Sequence, residues 1–307
     1  MNVLIVGGGA MGCLFAAEIA RSGSNVTVLD AAEPVVTALS GQGVQLVRDN
    51  ETISVPVRAS KDPAGTGKAD VAFVFVKAQH TAAVAGQAAA YVSAGTTVVS
   101  LQNGWGNADV LARAIPGDQL VSGVTYHSCT VLGPGRVAHT GRGPTFVGPH
   151  TAGGSLSRAA TVGELLARAG FEVTATPDVQ VEVWKKLVLN VATLPVATLT
   201  GLCTGALGGH DEALGVVDAL AAEAVAVARG RGLDISLDER TARIHTALAG
   251  GGDGKASMLQ DAQARRKTEV EVINGAIARA GAELGIPVPL NETMVALIHG
   301  MEEGWRQ

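Results

Sequence analysis

Asn2-Val3-Leu4-Ile5-Val6-Gly7-Gly8-Gly9-Ala10-Met11-Gly12 decides the fold of this 307-residue chain. Asn2 to Val6 is a short apolar, β-branched run that reads as a buried strand. Glycines follow at 7, 9 and 12, and a helical stretch from Ala10 to Ser22 starts among them. In that strand-turn-helix setting the G-x-G-x-x-G spacing has a mechanical meaning. One glycine makes the tight turn, one lets a pyrophosphate approach the backbone, and one lets the helix pack closely on the strand. The helix N-terminus adds N–H groups without helical partners and a partial positive charge. The stretch points to a dinucleotide-binding unit.

Outward from it, Asn25 to Leu29 reads as a second strand ending in Asp30, near the offset at which an acid takes a ribose 2′-hydroxyl. A carboxylate there repels a 2′-phosphate, and Ala31, Ala32 and Glu33 supply no cation, so NAD is favoured over NADP. A strand-end aspartate is also ordinary turn chemistry. Ala69 to Val76 and Thr96 to Leu101 repeat the buried-strand pattern around an alanine-rich helix from Thr81 to Tyr91. Continuous apolar strands alternating with helices imply a parallel sheet covered on both faces. Lys77 and Asn103-Gly104 fall at carboxyl ends of such strands, where open α/β sheets place ligands, although Asn103-Gly104 reads equally well as a simple turn.

From Val121 to Val147 the strand-like pieces are broken by Gly133-Pro134-Gly135 and by Gly141-Arg142-Gly143-Pro144, which suggests an antiparallel edge to the same sheet. After Thr176-Pro177-Asp178 the pattern is helical: Val181 to Ala192, Asp211 to Gly230, Asp238 to Ala249, Ala256 to Leu284 and Asn291 to Met301. Gly250 to Gly254 reads as a flexible connection. The expected architecture is a Rossmann-type, doubly wound α/β sheet in residues 1–177, followed by an all-helical domain in residues 178–307.

Composition narrows the function. With 47% hydrophobic, 17% charged and only 3% aromatic residues, the core has to be built from Ala, Val and Leu. A net charge of −5 gives no reason to expect nucleic acid or an anionic membrane as partner. No apolar run approaches the roughly 18 residues of a membrane span, and the chain runs straight into a strand without a basic leader, so a cytoplasmic location is expected. Cys13, Cys129 and Cys203 are few, dispersed and odd in number, which fits reduced packing thiols and no metal site.

The chemistry is read from the helical half. In Trp184-Lys185-Lys186-Leu187-Val188-Leu189-Asn190, Lys186 and Asn190 lie one turn apart inside an apolar stretch. Lysine is almost never fully buried without a partner. Beside an apolar wall its pKa falls towards ~7 to 8, which suits an acid that neutralises an alkoxide formed by hydride addition to a carbonyl. Lys185, about 100° around the helix, reads as a surface charge. Ser257 and Glu269, a little over three turns apart on the long helix expected from Ala256, should line the same cleft. Glu269 also reads as a solvated partner of Arg265.

Together these pieces resemble the ketopantoate reductase (2-dehydropantoate 2-reductase) family. The matching stretches are Gly7 to Gly12, Lys77-Ala78, Asn103-Gly104, Trp184 to Asn190, Ser257 to Asp261, and Thr268-Glu269 through Ile273-Asn274-Gly275, in family order across nearly the whole chain. The resemblance implies an NAD(P)-dependent oxidoreductase of pantothenate biosynthesis, with catalysis in a cleft between a nucleotide domain and a helical domain. It makes Lys186 the proton donor and Asn190, Ser257 and Glu269 substrate residues. Cofactor contacts would come from Gly7, Gly9, Ala10, Met11, Gly12, Asp30, Lys77, Asn103, Cys129 and Glu269. A homodimer through the helical domain is the family-style expectation.

Three positions depart from the family pattern. Its Asn-Pro after the catalytic helix is here Leu194-Pro195, a further substrate asparagine aligns with Thr204, and Asp30 stands where a basic residue grips NADP. The expected reaction is hydride transfer between a nicotinamide cofactor and C2 of a small 2-keto or 2-hydroxy acid, by default ketopantoate to pantoate. The departures leave open an NAD-dependent D-2-hydroxyacid dehydrogenase for a more apolar acid. A non-catalytic nucleotide sensor is the reading from another class, and it would have no use for Lys186.

Overall fold

The computed structural model describes residues 1–49 and 51–305. In chain order it contains β1 (Asn2–Val6), α1 (Ala10–Arg21), β2 (Asn25–Leu29), α2 (Glu33–Gln42), β3 (Val44–Arg48), β4 (Glu51–Val55), β5 (Arg58–Ser60), β6 (Val71–Val74), α3 (Thr81–Tyr91), β7 (Thr97–Ser100), α4 (Asn107–Leu111) and β8 (Leu120–Thr125). These are followed by β9 (Ser128–Gly133), β10 (Arg136–Gly141), β11 (Thr145–Pro149), α5 (Leu156–Arg168) and β12 (Val173–Ala175). The rest is helical: α6 (Val179–Thr200), α7 (Thr204–Gly208), α8 (Asp211–Gly230), α9 (Leu237–Ala249), α10 (Ser257–Gln263), α11 (Asn274–Leu284) and α12 (Pro289–Gly304).

The chain divides into two compact units. The first holds Met1–Gln102 and Asn107–Glu182, and the second holds Asn103–Gly106 and the chain from Val183 onward. The division thus falls inside α6, just past Pro177, and one short segment from the sequence of the first unit packs with the second.

In the first unit, eight strands run in the order β12-β11-β8-β7-β6-β1-β2-β5. β1 pairs in parallel with β2 on one side and with β6 on the other, so the strand order reverses at β1. Crevices outside the carboxyl ends at such a switch point are where open α/β sheets bind ligands. β11 joins β8 antiparallel, as the sequence suggests for this region. β9 and β10 do not extend that sheet. They pair with the β3–β4 hairpin in a second sheet of order β4-β3-β10-β9.

That second sheet explains α1. A helix covering one sheet face needs a single apolar stripe, yet every residue from Gly12 to Ile19 is buried, because α1 contacts β1 and β2 of the large sheet and β3, β9 and β10 of the small one. Phe15, fully buried, stacks on Phe171 at 4.4 Å and meets Phe75 at 4.8 Å. The one acid in this stretch, Glu18, is matched by Arg21 at 2.9 Å and by Arg48 from β3. Without those cations a carboxylate in this position would be costly.

In the second unit no strand occurs among the described residues, and the helix expected from Ala256 to Leu284 is broken. α10 ends at Gln263; Arg265 takes φ 49°, its N–H donates to Ala262 O, and Arg266 N–H donates to Asp261 O. This is a Schellman closure, and the Asp261–Arg266 ion pair at 3.1 Å fastens it. Helical periodicity continues through the break, so the sequence pattern hides it. The glycine stretch after Ala249 is also tied down: Thr204 N–H donates to Gly254 O and Gly205 N–H to Gly252 O, both at 2.8 Å. Among the described residues no helix is long and apolar enough to cross a membrane.

The β1–α1 junction leaves no room for a side chain at Gly12, where a Cβ would sit 1.8 Å from Gly7 O. Gly12→Ala is expected to destabilise the first unit by about 3 kcal/mol, the upper end for an overpacked site, and denaturant titration measures it. An unchanged midpoint would show that the turn relaxes freely.

Candidate functional site

The predicted residues fall into two sets, one in each unit. In the first, β1 ends at the glycine turn and Gly9 caps α1 without a side-chain hydrogen bond. A Cβ at Gly9 would meet nothing within 4 Å, so the helix terminus faces open space. Ala10, Met11 and Gly12 form its first turn, where N–H groups lack helical acceptors. Beneath the turn, Cys13 Sγ–H donates to Gly8 O at 3.2 Å.

Asp30, ending β2, is held by both oxygens: Oδ2 accepts from Gly8 N–H at 2.7 Å and Oδ1 from Ala32 N–H at 2.8 Å. A carboxylate has about four lone-pair sites, so two acceptor positions remain beside the turn. β5, paired with β2, brings Lys61 to this end of the sheet, where its Nζ lies 2.6 Å from Glu33. Sequence reading missed Lys61 because its proximity depends on strand pairing across more than thirty residues. Lys77 follows β6, half-buried, and caps the short turn Ala78–His80.

Cys129 lies on β9, opposite His139 of β10. Burial pushes its thiol up to about 12, and that of Cys13 likewise, so both sulfurs stay protonated and neither is a thiolate nucleophile. A polar chain unseen in the sequence runs alongside. Arg48 donates to His139 Nδ1 at 2.9 Å, which leaves His139 Nε2–H to donate to His127 Nδ1, also at 2.9 Å. Desolvation followed by the neighbouring histidine lowers His127 to about 4, so the pair is neutral at physiological pH.

In the second unit α6 carries the reacting residues. Trp184, Leu187, Val188 and Val191 are buried, and Asn190 is only 8% exposed one turn beyond Lys186. Lys186 Nζ donates to Asn103 Oδ1 at 3.0 Å. Burial lowers its pKa to about 8, against the opposing pull of the Glu269 carboxylate. Glu269 is itself buried. The Arg265 partnership therefore gives way: with α10 closed at Gln263, the i,i+4 geometry is lost, and the Glu269 charge acts on the half-buried Lys186 instead. Thr268, next to it, is pinned by N–H and Oγ–H bonds to Glu302 at 2.8 and 2.6 Å. Lys185 has Glu239 as its electrostatic neighbour.

Ser257 opens α10 and is exposed. The face it was expected to share with Glu269 does not exist, because the helix is broken; even unbroken, residues 257 and 269 would stand about 120° apart. Pro195 lies inside α6 and cannot donate to Val191 O. Asn274 Nδ2 takes that place at 3.1 Å and also donates to Asn291 Oδ1 at 3.0 Å; Asn291 in turn donates to Glu223. Leu194 is buried on α6, and Thr204 spends its hydroxyl on Gly254 O at 2.8 Å. Among the described residues no group of three His, Cys, Asp or Glu side chains could hold a metal ion.

Residues 3–152 match the model of ketopantoate reductase PanE/ApbA, and residues 178–302 match that of its C-terminal domain. The chain belongs to the ketopantoate reductase family. It is 32% identical to the 2-dehydropantoate 2-reductase of Archaeoglobus fulgidus over 99% of this chain and 98% of that one. A PanE/ApbA family ketopantoate reductase from Ralstonia eutropha JMP134 superposes with a TM-score of 0.90 at 31% identity, with both chains fully covered. A ternary structure of D-mandelate dehydrogenase with NADH and anilino(oxo)acetate shares the fold, with a TM-score of 0.93 at 23% identity over 99% of each chain.

Among the described residues, the Glu269 charge raises the Lys186 pKa against burial. Glu269→Gln is expected to move the lysine titration below about 8, read by NMR of ¹³C-labelled lysine. A titration that stays in place would remove Glu269 from the electrostatics of Lys186.

Proposed function

We propose that the chain is a 2-dehydropantoate 2-reductase, transferring hydride between a nicotinamide cofactor and C2 of a 2-keto acid. The observation that carries this is the Lys186–Asn103–Glu269 group, in which a half-buried ammonium has a pKa near 8 beside a buried carboxylate. Residues 1–177 serve as the dinucleotide-binding domain and 178–307 as the helical substrate and catalytic domain. The cofactor, when bound, supplies the hydride. Gly7, Gly9, Ala10, Met11 and Gly12 hold its pyrophosphate, and Asp30 accepts from the adenosine ribose hydroxyls. Lys77, Asn103, Cys129 and Glu269 complete the cofactor contacts that the family resemblance implies.

Lys186 delivers a proton to the alkoxide oxygen as it forms. An acid with pKa near the working pH is both protonated and ready to give up its proton. Asn103 Oδ1 aims the ammonium, and the Glu269 charge keeps it protonated. Asn190, one turn along α6, holds the substrate, and Ser257 is assigned to it by family resemblance. Asp30 favours NAD, and Lys61, which β5 brings to this end of the sheet, is engaged by Glu33. A cytoplasmic enzyme acting as a homodimer completes the reading; sedimentation velocity measures the latter.

Leu194 and Thr204 favour a second reading. A buried leucine and a hydroxyl whose proton is committed to Gly254 offer no hydrogen-bond donor to a hydroxylated acid. Each partner lost from a polar substrate costs about 1 to 3 kcal/mol, whereas a more apolar D-2-hydroxy acid loses nothing. Measuring kcat/KM for ketopantoate and for a branched apolar keto acid with each cofactor separates the two. Ketopantoate with NADH is expected to lead; dominance of the apolar acid would transfer the assignment, and a strong NADPH preference would overturn the role of Asp30.

For the parent enzyme, keto-acid reduction is expected to fall as pH rises through about 8, because only the ammonium form donates. Lys186→Ala should cut kcat about 100- to 10,000-fold while cofactor binding, followed by fluorescence, persists. Parental turnover in that variant would rule out Lys186 as the acid; a parent that binds nucleotide without turning over any keto acid would be a sensor.

A further inference from the structure

Asn103–Gly106 comes from the sequence of the first half but packs with the helical unit. Its attachment is specific. Trp105 N–H donates to Val272 O at 2.7 Å. Gly104 takes φ +83°, and a Cβ there would lie 2.4 Å from the same oxygen, so only glycine permits this approach. The Trp105 ring lies 5.2 Å from that of Trp184, inclined at 56°. The Arg231 guanidinium, at the end of α8, stands 5.6 Å from the Trp105 centroid and 5.8 Å from that of Trp184, within cation–π range of both.

Two contacts therefore join the segment to α6 in register. Trp105 meets Trp184, and Asn103, two residues earlier, meets Lys186, two residues later. Trp184 is fully buried, and its Nε1–H has no hydrogen-bond partner among the described residues. That orphaned donor is a cost phenylalanine would avoid, so the site retains the larger ring at the expense of a hydrogen bond. Asn103 sits on a loop, and a loop side chain keeps a fixed position only if its backbone is held.

We propose that Trp105 is a positioning residue for the proton donor: tilted against Trp184 and covered by Arg231, it holds Asn103 Oδ1 on the Lys186 ammonium. The proposal rests on the reading of Lys186 as the catalytic acid. An amide oxygen on the ammonium favours its charged form. Among the described residues, the Glu269 charge acts on Lys186 and the Lys185 charge on Glu239. Loosening Asn103 therefore lowers the pH at which the donor loses its proton, with Glu269 unchanged.

The test is the pH profile of keto-acid reduction in Trp105→Ala, Trp105→Phe and Arg231→Met, beside Asn103→Ala and the Asn103→Ala/Trp105→Ala double variant. Trp105→Ala is expected to lose roughly 10- to 100-fold in kcat, as for a misplaced reacting group, with the basic limb moved to lower pH. Trp105→Phe should restore most of both. The double variant should be no slower than Asn103→Ala alone, since Trp105 acts through Asn103. Arg231→Met, at the surface end of the ring pair, reports even if Trp105→Ala fails to fold. Its limb should also move down, whereas removal of a nearby positive charge acting by electrostatics alone would move it up. A parental limb in the Trp105 and Arg231 variants, an upward shift in Arg231→Met, or full additivity in the double variant would overturn the proposal. Parental turnover in Lys186→Ala would instead overturn the reading beneath it.

Discussion

An ammonium taken out of water has to be compensated, and the helical unit is organised around that requirement at Lys186. Burial lowers its pKa to about 8, while Asn103 Oδ1 and the Glu269 carboxylate keep it charged. Each compensating group is itself fastened. Asn103 is held through Trp105, and Glu269 follows Thr268, which Glu302 grips with two bonds. The balance matters chemically. A lysine left in water would hold its proton too tightly near neutral pH, and one buried without partners would have none to give.

The same economy governs the helix that carries it. Pro195 removes a backbone donor from the middle of α6, and the orphaned Val191 carbonyl is met by Asn274, then Asn291, then Glu223. The defect lies one residue beyond Asn190. A break that ordinarily kinks a helix is thus tied by side chains from α8, α11 and α12 into the core of the unit. In the first unit α1 poses the corresponding problem: enclosed by two sheets, it can carry an acid only because Arg21 and Arg48 reach Glu18.

Much of this was legible from spacing. β1, β2, α3 and α8 occupy the stretches their periodicity indicates, and the glycine turn lies at the switch point where its pattern places it. What was not legible required distant partners. The second sheet forms from β3, β4, β9 and β10; sequence alone assigns the last two to the edge of the first sheet and gives no strand for the other two. The break after Gln263 depends on a left-handed Arg265, a conformation no residue type announces. The helix-based readings of Ser257 and Glu269 failed at that point, because periodicity continues across a turn that ends the hydrogen bonding.

Sequence by itself determined the elements that local chemistry dictates: a strand entering a glycine turn, a helix N-terminus left open for an anion, and a lysine and an asparagine on one face of an apolar helix. It determined the family as well, since the order and spacing of those pieces are specific. Only the tertiary structure decided which groups answer the buried charge. Asn103 and Glu269 lie on either side of α6 in the chain, more than 160 residues apart, and no local rule joins them. They meet at Lys186 because α6, the Trp105 segment and the turn before α11 pack into one unit, and the desolvation that packing imposes makes their polar atoms necessary there.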